Sequence, residues 1–324
     1  MHVLSQIRQA HQLLAKRHFD FLLFRLDVLP IAPLYITKMF RQPFALKTLG
    51  HNVLKALADR GGWFGRSLGG INRRLVKGLV RTAVVADSVS PIQIDFLRDR
   101  LDLDDDHVVW IDNAVNTERF RVESTTEARH QLNLTRFDNL VGYVGTRPWE
   151  RGGMQLIEAA ARITHKYPNL GIVILGEGNG VRDLHRRAQE LGVGDRCVFP
   201  GYVPFHHVPT YVNSLDVGVS LNLLPSREAS SELKVRQYLA CGKPVLASPG
   251  GNDFLMDAGL GSIVRPRDID VIARELDRWL GMKPHDRAAF AHQASDYTVR
   301  HLSVDSATNQ RLDLWSQRLQ SAVA

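Results

Sequence analysis

Apolar residues recur along the chain in two alternating patterns, one typical of helices and the other of buried strands. The first helix is predicted over residues 3–14, where the apolar side chains share one stripe, and a strand follows in FDFLLFRL. The alternation continues to residue 111 through ITKMF, PFALKTL, a helix around Leu68 to Val80, AVVA, IQIDFLRDRL and HVVWI. Alternating helices and strands favour a parallel sheet with helices on both faces.

The same alternation resumes after a polar stretch between Asn116 and Phe137, which we interpret as a domain boundary. Strands are predicted in LVGYVG, LGIVILG, RCVF, DVGVSL and PVLA, and helices in MQLIEAAARI, VRDLHRRAQEL, VPTYVNSL and IDVIARELDRWL. We therefore predict two doubly wound Rossmann-like α/β domains facing across a cleft, at residues 1–121 and 122–296, with a C-terminal helix at 297–324 returning to the first. Ligands of such sheets bind beyond the carboxyl ends of the strands, which places the expected site in the cleft.

The stretch SSELKVRQYLACGKPVLAS, residues 230–248, predicts a short helix between a polar loop and a buried strand. Helix propensity favours Leu233–Ala240, Gly242 suits a left-handed turn after the helix, and Pro244 prevents the helix from resuming. Ser230 and Ser231 are predicted as N-cap residues. The free backbone N–H groups of the first turn could hold a phosphate, although many capped helices bind nothing.

Length and composition indicate a globular protein of two domains. The chain has 324 residues, of which 44% are hydrophobic and 23% charged. Apolar runs stay well short of the roughly 20 residues that span a bilayer, and the N-terminus lacks a signal-peptide core, so we expect a cytoplasmic protein. Cys197 and Cys241 have no metal-ligand spacing and are predicted to be reduced packing residues.

Positive charge is concentrated in the first part of the chain. Residues 1–83 carry a net charge of +11, which leaves −4 for the rest of a chain whose total is +7. An anionic lipid or a phosphorylated lipid carrier fits this asymmetry better than nucleic acid, because no aromatic platform accompanies the basic residues. The helix GRSLGGINRRLVKGLVR combines basic residues with an apolar stripe of Leu68, Ile71, Leu75 and Leu79. We expect this stripe to pack on the sheet. A secondary hypothesis is that the helix contacts the anionic inner face of the membrane.

Four segments stand at predicted strand ends in an order and spacing that resemble a known family. They are VGYVGTRPWERGG (141–153), LGEGNG (175–180), VFPGYVP (198–204) and the loop LLPSREAS (223–230) with the helix that follows it. Together they resemble the nucleotide-sugar-binding domain of the retaining glycosyltransferases called group 1 or family 4, which have the two-domain GT-B architecture. The resemblance covers residues 80 to about 281. It implies transfer of a sugar, with retention, from a nucleotide-diphosphate sugar to a saccharide or lipid-linked acceptor in exopolysaccharide or lipopolysaccharide biosynthesis.

The resemblance implies that the loop after LVGYVG holds the donor diphosphate. The family has a Gly-Arg pair and a Lys-Gly pair here, whereas this chain has Gly145, Thr146 and a displaced Arg147, and carries Arg151 at the lysine position. Two arginines can grip a diphosphate through several hydrogen bonds. The alternative is a pair of solvated loop arginines.

Two further segments are implied to contact the nucleotide. Gly176, Glu177 and Gly178 resemble the family's tight turn beneath the nucleotide. The backbone at Gly201, Tyr202 and Val203 resembles the segment that meets the base. Glycine turns of this kind are also common where no ligand binds.

The helix at 233–240 departs from the family pattern. The family usually places two glutamates eight residues apart, and this chain has Ala229 and Gln237 there, with Glu228 and Glu232 flanking the first position. The resemblance implies donor binding by Ser230, Ser231, Glu232, Leu233 and Gln237. Arg147, Arg151, Glu228, Lys234 and His51 are the implied catalytic residues. As a neutral amide, Gln237 would hold the ribose with weaker bonds than a carboxylate.

Several alternatives accompany this interpretation. His51 follows a strand end, where family members often carry a histidine near the reacting centre, but a helix-start histidine is an equal reading. No metal or other cofactor is expected, because the DLDDDH run at 102–107 lies at the wrong end of a strand. The first domain is expected to lack the family's first strand and glycine-rich loop. A non-catalytic nucleotide-sugar-binding remnant is therefore the main rival, and another enzyme of the same architecture, such as an epimerase, is a second.

Overall fold

The computed structural model describes residues 2–17, 19–26, 30–48, 63–89, 91–104, 107–223 and 232–323. The chain forms two compact units, the first comprising Met1–Asp112 with Thr308–Ala324 and the second Asn113–Ala307. The first division thus falls earlier in the chain than the boundary predicted after residue 121, and the second falls later than the one predicted after residue 296.

The first unit contains a four-stranded parallel sheet whose strands follow one another in chain order. The strands are β1 Leu22–Leu26, β2 Phe44–Thr48, β3 Val85–Ser88 and β4 Val108–Trp110. The helices that the structure describes in this part of the chain are α1 His2–Leu14, α2 Ile31–Phe40, α3 Trp63–Thr82 and α4 Pro91–Leu101. The core of the unit lies between the sheet and the helices, with Leu46 and Ala86 of the strands fully buried. Strands buried on both faces explain the continuous apolar runs of the sequence.

Helix α3 buries a different stripe from the predicted one. Leu79 is buried, but Ile71 and Leu75 are 56% and 38% exposed, and the side chain of Leu68 lies outside the described residues. Among the side chains of this helix that the structure describes, the buried ones are Asn72, Val76, Leu79 and Val80. These positions share one helical face at the spacing i, i+4, i+7 and i+8. The segment therefore has two partly apolar faces, and only one of them meets the core.

The second unit contains a six-stranded parallel sheet in the order β10-β9-β8-β5-β6-β7. Its strands are β5 Asn139–Val144, β6 Leu170–Leu175, β7 Cys197–Gly201, β8 Val217–Ser220, β9 Val245–Ala247 and β10 Gly261–Ile263. Its helices are α5 Thr125–Gln131, α6 Gly153–Ile163, α7 Val181–Glu190, α8 Val208–Ser214, α9 Leu233–Ala240, α10 Phe254–Asp257, α11 Ile269–Leu280 and α12 Pro284–His301. The last helix, α13 Val304–Val323, begins in this unit and continues into the residues of the first.

The strand order reverses between β5 and β8, which lie side by side in the second sheet. The chain runs from β5 to β6 and β7 in one direction and then crosses to β8 and β9 on the other side. The loops that leave β5 and β8 at their carboxyl ends therefore diverge and open a crevice between them. The loop after β8 includes residues 224–231, which lie outside the described residues.

Helix α9 has the predicted bounds, but its N-cap differs from the prediction. Gly242 has the expected left-handed backbone, with φ +70°, and its N–H donates to the carbonyl of Leu239 at 2.9 Å. The N-cap is Glu232 rather than Ser230 or Ser231, which lie outside the described residues. The Glu232 carboxylate makes no capping hydrogen bond, because it is directed to partners on other elements.

Three helices of the second unit, α5, α10 and α12, were not predicted, and neither was strand β10. Helix α5 lies within the polar stretch 116–137 and begins at Ser124, whose hydroxyl accepts a hydrogen bond from the Glu127 backbone N–H at 3.2 Å. Helix α12 crosses the boundary predicted after residue 296 and begins with Pro284 in its first turn. The starts of α5 and α12 carry ordinary helix signals, namely an N-cap serine and an N1 proline. The charged and polar residues around them obscured these signals.

The amino edge of the second sheet is held by one buried carboxylate. Asp216 accepts hydrogen bonds from Arg129 Nη2 at 2.6 Å, from the Leu140 backbone N–H at 2.7 Å and from Arg287 Nη1 at 3.4 Å. Near it the Lys243 ammonium donates to Thr125 Oγ1 at 2.9 Å, and burial lowers the pKa of this lysine to about 8. These groups tie β5 and β8 to α5 and α12.

The two cysteines have the character of packing residues. Cys197 starts β7, Cys241 ends α9, and neither forms a disulfide. Burial raises the pKa of each thiol to about 12, so both are protonated at neutral pH. Among the described residues, no helix is both long enough and apolar enough to cross a membrane.

Candidate nucleotide-binding site

A cavity of about 540 Å³ opens at the carboxyl edge of the second sheet. It lies beyond the ends of β5, β6 and β7 and at the start of α9, the position where ligands of doubly wound sheets bind. Most of the predicted site residues line it: Gly145, Thr146, Arg147, Arg151, Gly176, Glu177, Gly201, Tyr202, Val203, Glu232, Leu233, Lys234 and Gln237. Residues that are distant in sequence are therefore brought together around one space.

Glycines shape the floor of the cavity by letting the strand ends approach each other. Gly176 has φ +131°, and a Cβ at this position would lie 1.9 Å from the carbonyl oxygen of Gly145. The Gly176 N–H donates to the carbonyl of Gly201 at 3.0 Å, which joins the ends of β6 and β7. Only glycine combines this backbone conformation with so close an approach.

The loop after β5 turns sharply at Thr146 and Arg147. Arg147 has a left-handed backbone with φ +57°, and its N–H donates to the carbonyl of Glu177 at 3.0 Å. Its guanidinium is 2.8 Å from the carboxylate of Glu150, in an exposed ion pair. The Tyr143 hydroxyl supports the turn from below by donating to the Thr146 carbonyl at 2.7 Å. Arg147 thus lines the cavity with its charge already paired to a neighbour in the loop.

Glu177 connects three strand ends. Its carbonyl accepts from the Arg147 N–H after β5, and its carboxylate accepts from the Tyr202 backbone N–H after β7 at 3.2 Å. Tyr202 itself is 72% exposed, so its ring projects away from the protein core at the edge of the cavity. Gly178, with φ +141°, is not among the described residues that line the cavity, but it lies against Arg147, where a Cβ would be 3.4 Å from the Arg147 Cα.

The strongest electrostatic feature of the cavity is a cluster of Arg151, Glu232 and Lys234. Arg151 Nη1 lies 2.7 Å from Glu232 Oε1, and Lys234 Nζ lies 3.5 Å from Glu232 Oε2. The Ser220 hydroxyl at the end of β8 donates to the same Oε2. All three charged side chains are at most 15% exposed. Two cations thus share one carboxylate, which leaves this buried cluster with a net positive charge.

Lys234 lies against the ring of Tyr143, with its Nζ 5.0 Å from the ring centroid. Burial lowers the pKa of Lys234, and the positive charges of Arg151 and Arg147 lower it further, whereas Glu232 raises it. Burial raises the pKa of the Tyr143 hydroxyl, so that group stays neutral. The lysine is therefore a desolvated cation that an anion in the cavity would stabilise.

Helix α9 presents Gln237 to the cavity from its second turn, where the side chain is buried. The next residue, Tyr238, points into the sheet, and its hydroxyl accepts from the Val144 N–H at 2.8 Å. This bond fixes α9 against the end of β5, so Gln237 and Lys234 keep a set position relative to the β5 loop.

Some predicted residues fall elsewhere. Glu228, Ser230, Ser231 and His51 lie outside the described residues, as does Ala229. Several residues of the site were not predicted: Tyr143, Val144, Leu175, Phe205, Val208 and Ser220. Tyr143, Val144, Leu175 and Ser220 lie in predicted strands, close to their carboxyl ends, so their signal was available. Phe205 and Val208 come later, in the turn and helix after β7, where no strand end marked them.

The arrangement suits an anion with an extended, partly apolar body. Arg151 and Lys234 supply charge, the glycine turns supply close backbone approach, and Phe205 and Val208 supply apolar surface. Within the described part of the chain, no group of three or more His, Cys, Asp or Glu side chains could hold a metal ion.

Similarity to known protein sequences extends over most of the second unit. Residues 124–296 match the sequence model of the family described as glycosyl transferases group 1. A GDP-mannose-dependent alpha-(1-6)-phosphatidylinositol monomannoside mannosyltransferase from Mycolicibacterium smegmatis is 30% identical over 169 residues, 49% of this chain and 43% of that protein. A D-inositol 3-phosphate glycosyltransferase from Frankia alni is 29% identical over 206 residues, 60% of this chain and 49% of that protein. The chain spans about half the length of these curated relatives.

Solved structures share the fold over nearly the whole chain. Anabaena HepE in complex with UDP has a TM-score of 0.75 at 19% identity and covers 97% of this chain and 82% of its own. A sucrose-phosphate synthase from Thermosynechococcus elongatus has a TM-score of 0.74 at 20% identity, covering 97% of this chain and 77% of its own. The predicted fold class of two Rossmann-like α/β domains is confirmed.

Proposed function

Because the chain belongs to the group 1 glycosyltransferases, we propose that it transfers a sugar from a nucleoside-diphosphate sugar to a saccharide or lipid-linked acceptor, with retention of the anomeric configuration. The reaction would serve the synthesis of a surface glycan such as exopolysaccharide or lipopolysaccharide. The relatives named above include a GDP-mannose-dependent enzyme, and HepE is seen with UDP, which supports a nucleotide donor without selecting its base.

The observation that carries this proposal is the convergence of Arg151 and Lys234 on one cavity at the carboxyl edge of the second sheet. A donor diphosphate is a compact anion, and two desolvated cations beside glycine turns match its charge and shape. In the proposed pose the diphosphate lies against Arg151, Lys234 and the start of α9. The nucleoside then extends toward Gly201, Tyr202 and Val203.

The same groups are suited to the proposed chemistry. When the bond between the sugar and the diphosphate breaks, negative charge grows on the departing phosphate oxygen. Cations already fixed in a partly buried site stabilise this charge with little reorganisation, which lowers the barrier. The acceptor would attack from the face on which the diphosphate leaves, without a metal ion.

Turnover of donors by the full chain tests the proposal. We expect release of UDP or GDP from the matching nucleotide sugar, accelerated by a saccharide or lipid-linked acceptor, and NMR of the product should show the anomeric configuration of the donor. A product of inverted configuration would refute retention. Nucleotide binding without any turnover would favour the non-catalytic rival.

We also propose that the first unit contacts an anionic membrane surface at the cytoplasmic face. On α3 the exposed face carries Ile71 and Leu75, with the exposed Arg74 and Arg81 on the same side. Apolar residues flanked by arginines fit the boundary between headgroups and acyl chains.

Vesicle flotation at low salt tests membrane contact, because screening is weakest there. Vesicles rich in phosphatidylglycerol should retain the protein, and a variant with Ile71→Ser and Leu75→Ser should bind several-fold more weakly. Met256→Ser is the matched control, since Met256 is 62% exposed in the second unit. Equal retention of all three proteins, or none of the wild type, would contradict this surface.

A further inference from the structure

The cavity contains a carboxylate whose partners are the cations proposed to hold the donor. We propose that Glu232 is a positioning residue, which orients Arg151 and Lys234 toward the cavity and keeps Lys234 charged for the diphosphate. This inference rests on the proposed function. It assigns to Glu232 the control of the positive charge on Lys234.

The geometry of Glu232 supports this role. One carboxylate oxygen accepts from Arg151 Nη1 at 2.7 Å, and the other accepts from the Ser220 hydroxyl and lies 3.5 Å from Lys234 Nζ. Glu232 is the N-cap residue of α9, so its backbone is fixed by the helix that carries Lys234. Ser220 holds the carboxylate from β8, the strand beside β5. The carboxylate is thus fixed from two elements, and the cations take their positions from it.

Each cation keeps donors for a ligand after bonding Glu232. An ammonium has three N–H groups and a guanidinium five, and Glu232 engages one from Arg151 and attracts the lysine ammonium. The remaining donors line a cavity that both residues border. Glu232 therefore costs the site little donor capacity while it restricts the rotamers of two long side chains.

Glu232 is also the group that favours the charged form of Lys234. The groups facing this lysine are Glu232, Arg151, Arg147 and the Tyr143 ring. Burial and the two arginines lower the pKa of Lys234, and Glu232 alone among these opposes them. Without the carboxylate, the lysine should lose its proton at a lower pH. Above that pH, binding of a diphosphate would be coupled to uptake of a proton by Lys234.

The test is calorimetric titration of the full chain and of Glu232→Gln with UDP and GDP, from about pH 7 to about pH 8.5. If Lys234 is neutral in the free variant and charged in the complex, affinity falls about tenfold per pH unit. We therefore expect the affinity of the variant to fall about thirtyfold over this range, with proton uptake visible in buffers of different ionisation enthalpy. The wild-type affinity should change less than about threefold.

A double variant separates charge control from a merely structural role. In Glu232→Gln with Lys234→Arg, the arginine stays protonated throughout, so the steep pH dependence should disappear. Glu158→Gln is the charge-matched control, because Glu158 pairs with Arg187 at 2.9 Å on α6, outside the cavity lining. Its pH dependence should match that of the wild type. Ser220→Ala, which removes the anchor of the carboxylate, should show the same effect as Glu232→Gln in weaker form.

The outcomes distinguish the two proposals. If the wild type binds nucleotide, and Glu232→Gln and Ser220→Ala show the same pH dependence as the wild type, the role of Glu232 is overturned and the proposed function stands. A steep dependence that persists in the double variant would do the same. Absence of any nucleotide binding by the wild type would overturn the proposed function and this inference with it.

Discussion

Replacing Gly176 with alanine tests whether the close approach of the β5 and β6 loops builds the cavity. An alanine Cβ would stand 1.9 Å from the Gly145 carbonyl oxygen, where ordinary contacts begin at 3.4 Å, and φ +131° is itself unfavourable for an L residue. Backbone strain of this kind costs about 1–3 kcal/mol, and relief of the overlap must move the Gly145 turn. We expect the free energy of unfolding to fall by about 3 kcal/mol in total, which lowers Tm by about 6–12 °C for a unit of this size.

Gly192→Ala provides the matched control in the same unit. Gly192 also has a left-handed backbone, with φ +68°, but a Cβ there would meet nothing within 4 Å. This substitution should lower the free energy of unfolding by about 1 kcal/mol, because only the backbone conformation is unfavourable for alanine there. Thermal unfolding and nucleotide titration of both variants form the assay. Equal losses of stability, or full nucleotide affinity in Gly176→Ala, would refute the view that the glycine contact shapes the site.

Other predictions concern the amino edge of the second sheet. Asp216→Asn removes a buried carboxylate shared by Arg129, Arg287 and the Leu140 N–H. Urea unfolding should show that the free energy of unfolding falls by about 3–5 kcal/mol. A decrease of less than about 1 kcal/mol would mean that the cluster is solvated. Burial places the folded pKa of Lys243 at about 8, below its ordinary 10.5, so the unfolded chain binds the extra proton between these values and stability should rise with pH there. Between about pH 7 and about pH 10, the free energy of unfolding of the wild type should rise by about 2.5 kcal/mol relative to that of Lys243→Met. A constant difference between the two proteins would contradict the assignment.

The strands of the described residues other than β10, and most of the helices, could be predicted because the sheets are parallel and buried on both faces. Strands such as β5 and β6 read as continuous apolar runs, and amphipathic α6 and α11 carry clear helical stripes. The failures have physical causes. Helix α3 has apolar residues on two faces, and the sequence could not tell which one meets the sheet. Helix α12 is mostly polar and carries few buried residues, so periodicity gave no signal and only Pro284 marked its start.

The site was predictable as a set of strand ends but not as a network of contacts. Gly145, Gly176 and Gly201 stood at strand ends, and their spacing indicated the cavity that the structure contains. The pairing of Arg151 with Glu232 joins residues far apart in sequence, and nothing local predicts it. The sequence predicted Glu232 as a donor-binding residue that flanks the family's first glutamate position, not as a partner of Arg151. Its contacts with Ser220 and Lys234 depend on how α9 packs beside β8, which the sequence does not specify.

The measurement that tests the central claim most directly is titration of the full chain with UDP and GDP, compared with Arg151→Ala and with the parent nucleosides. A charged hydrogen bond contributes about 1.5–3 kcal/mol, so the variant should bind the preferred nucleoside diphosphate about tenfold to a hundredfold more weakly. Binding of the nucleoside, which has no phosphate, should be unchanged. If Arg151→Ala binds the diphosphate as tightly as the wild type, or if both ligands weaken equally, the cluster at Arg151 does not hold the diphosphate.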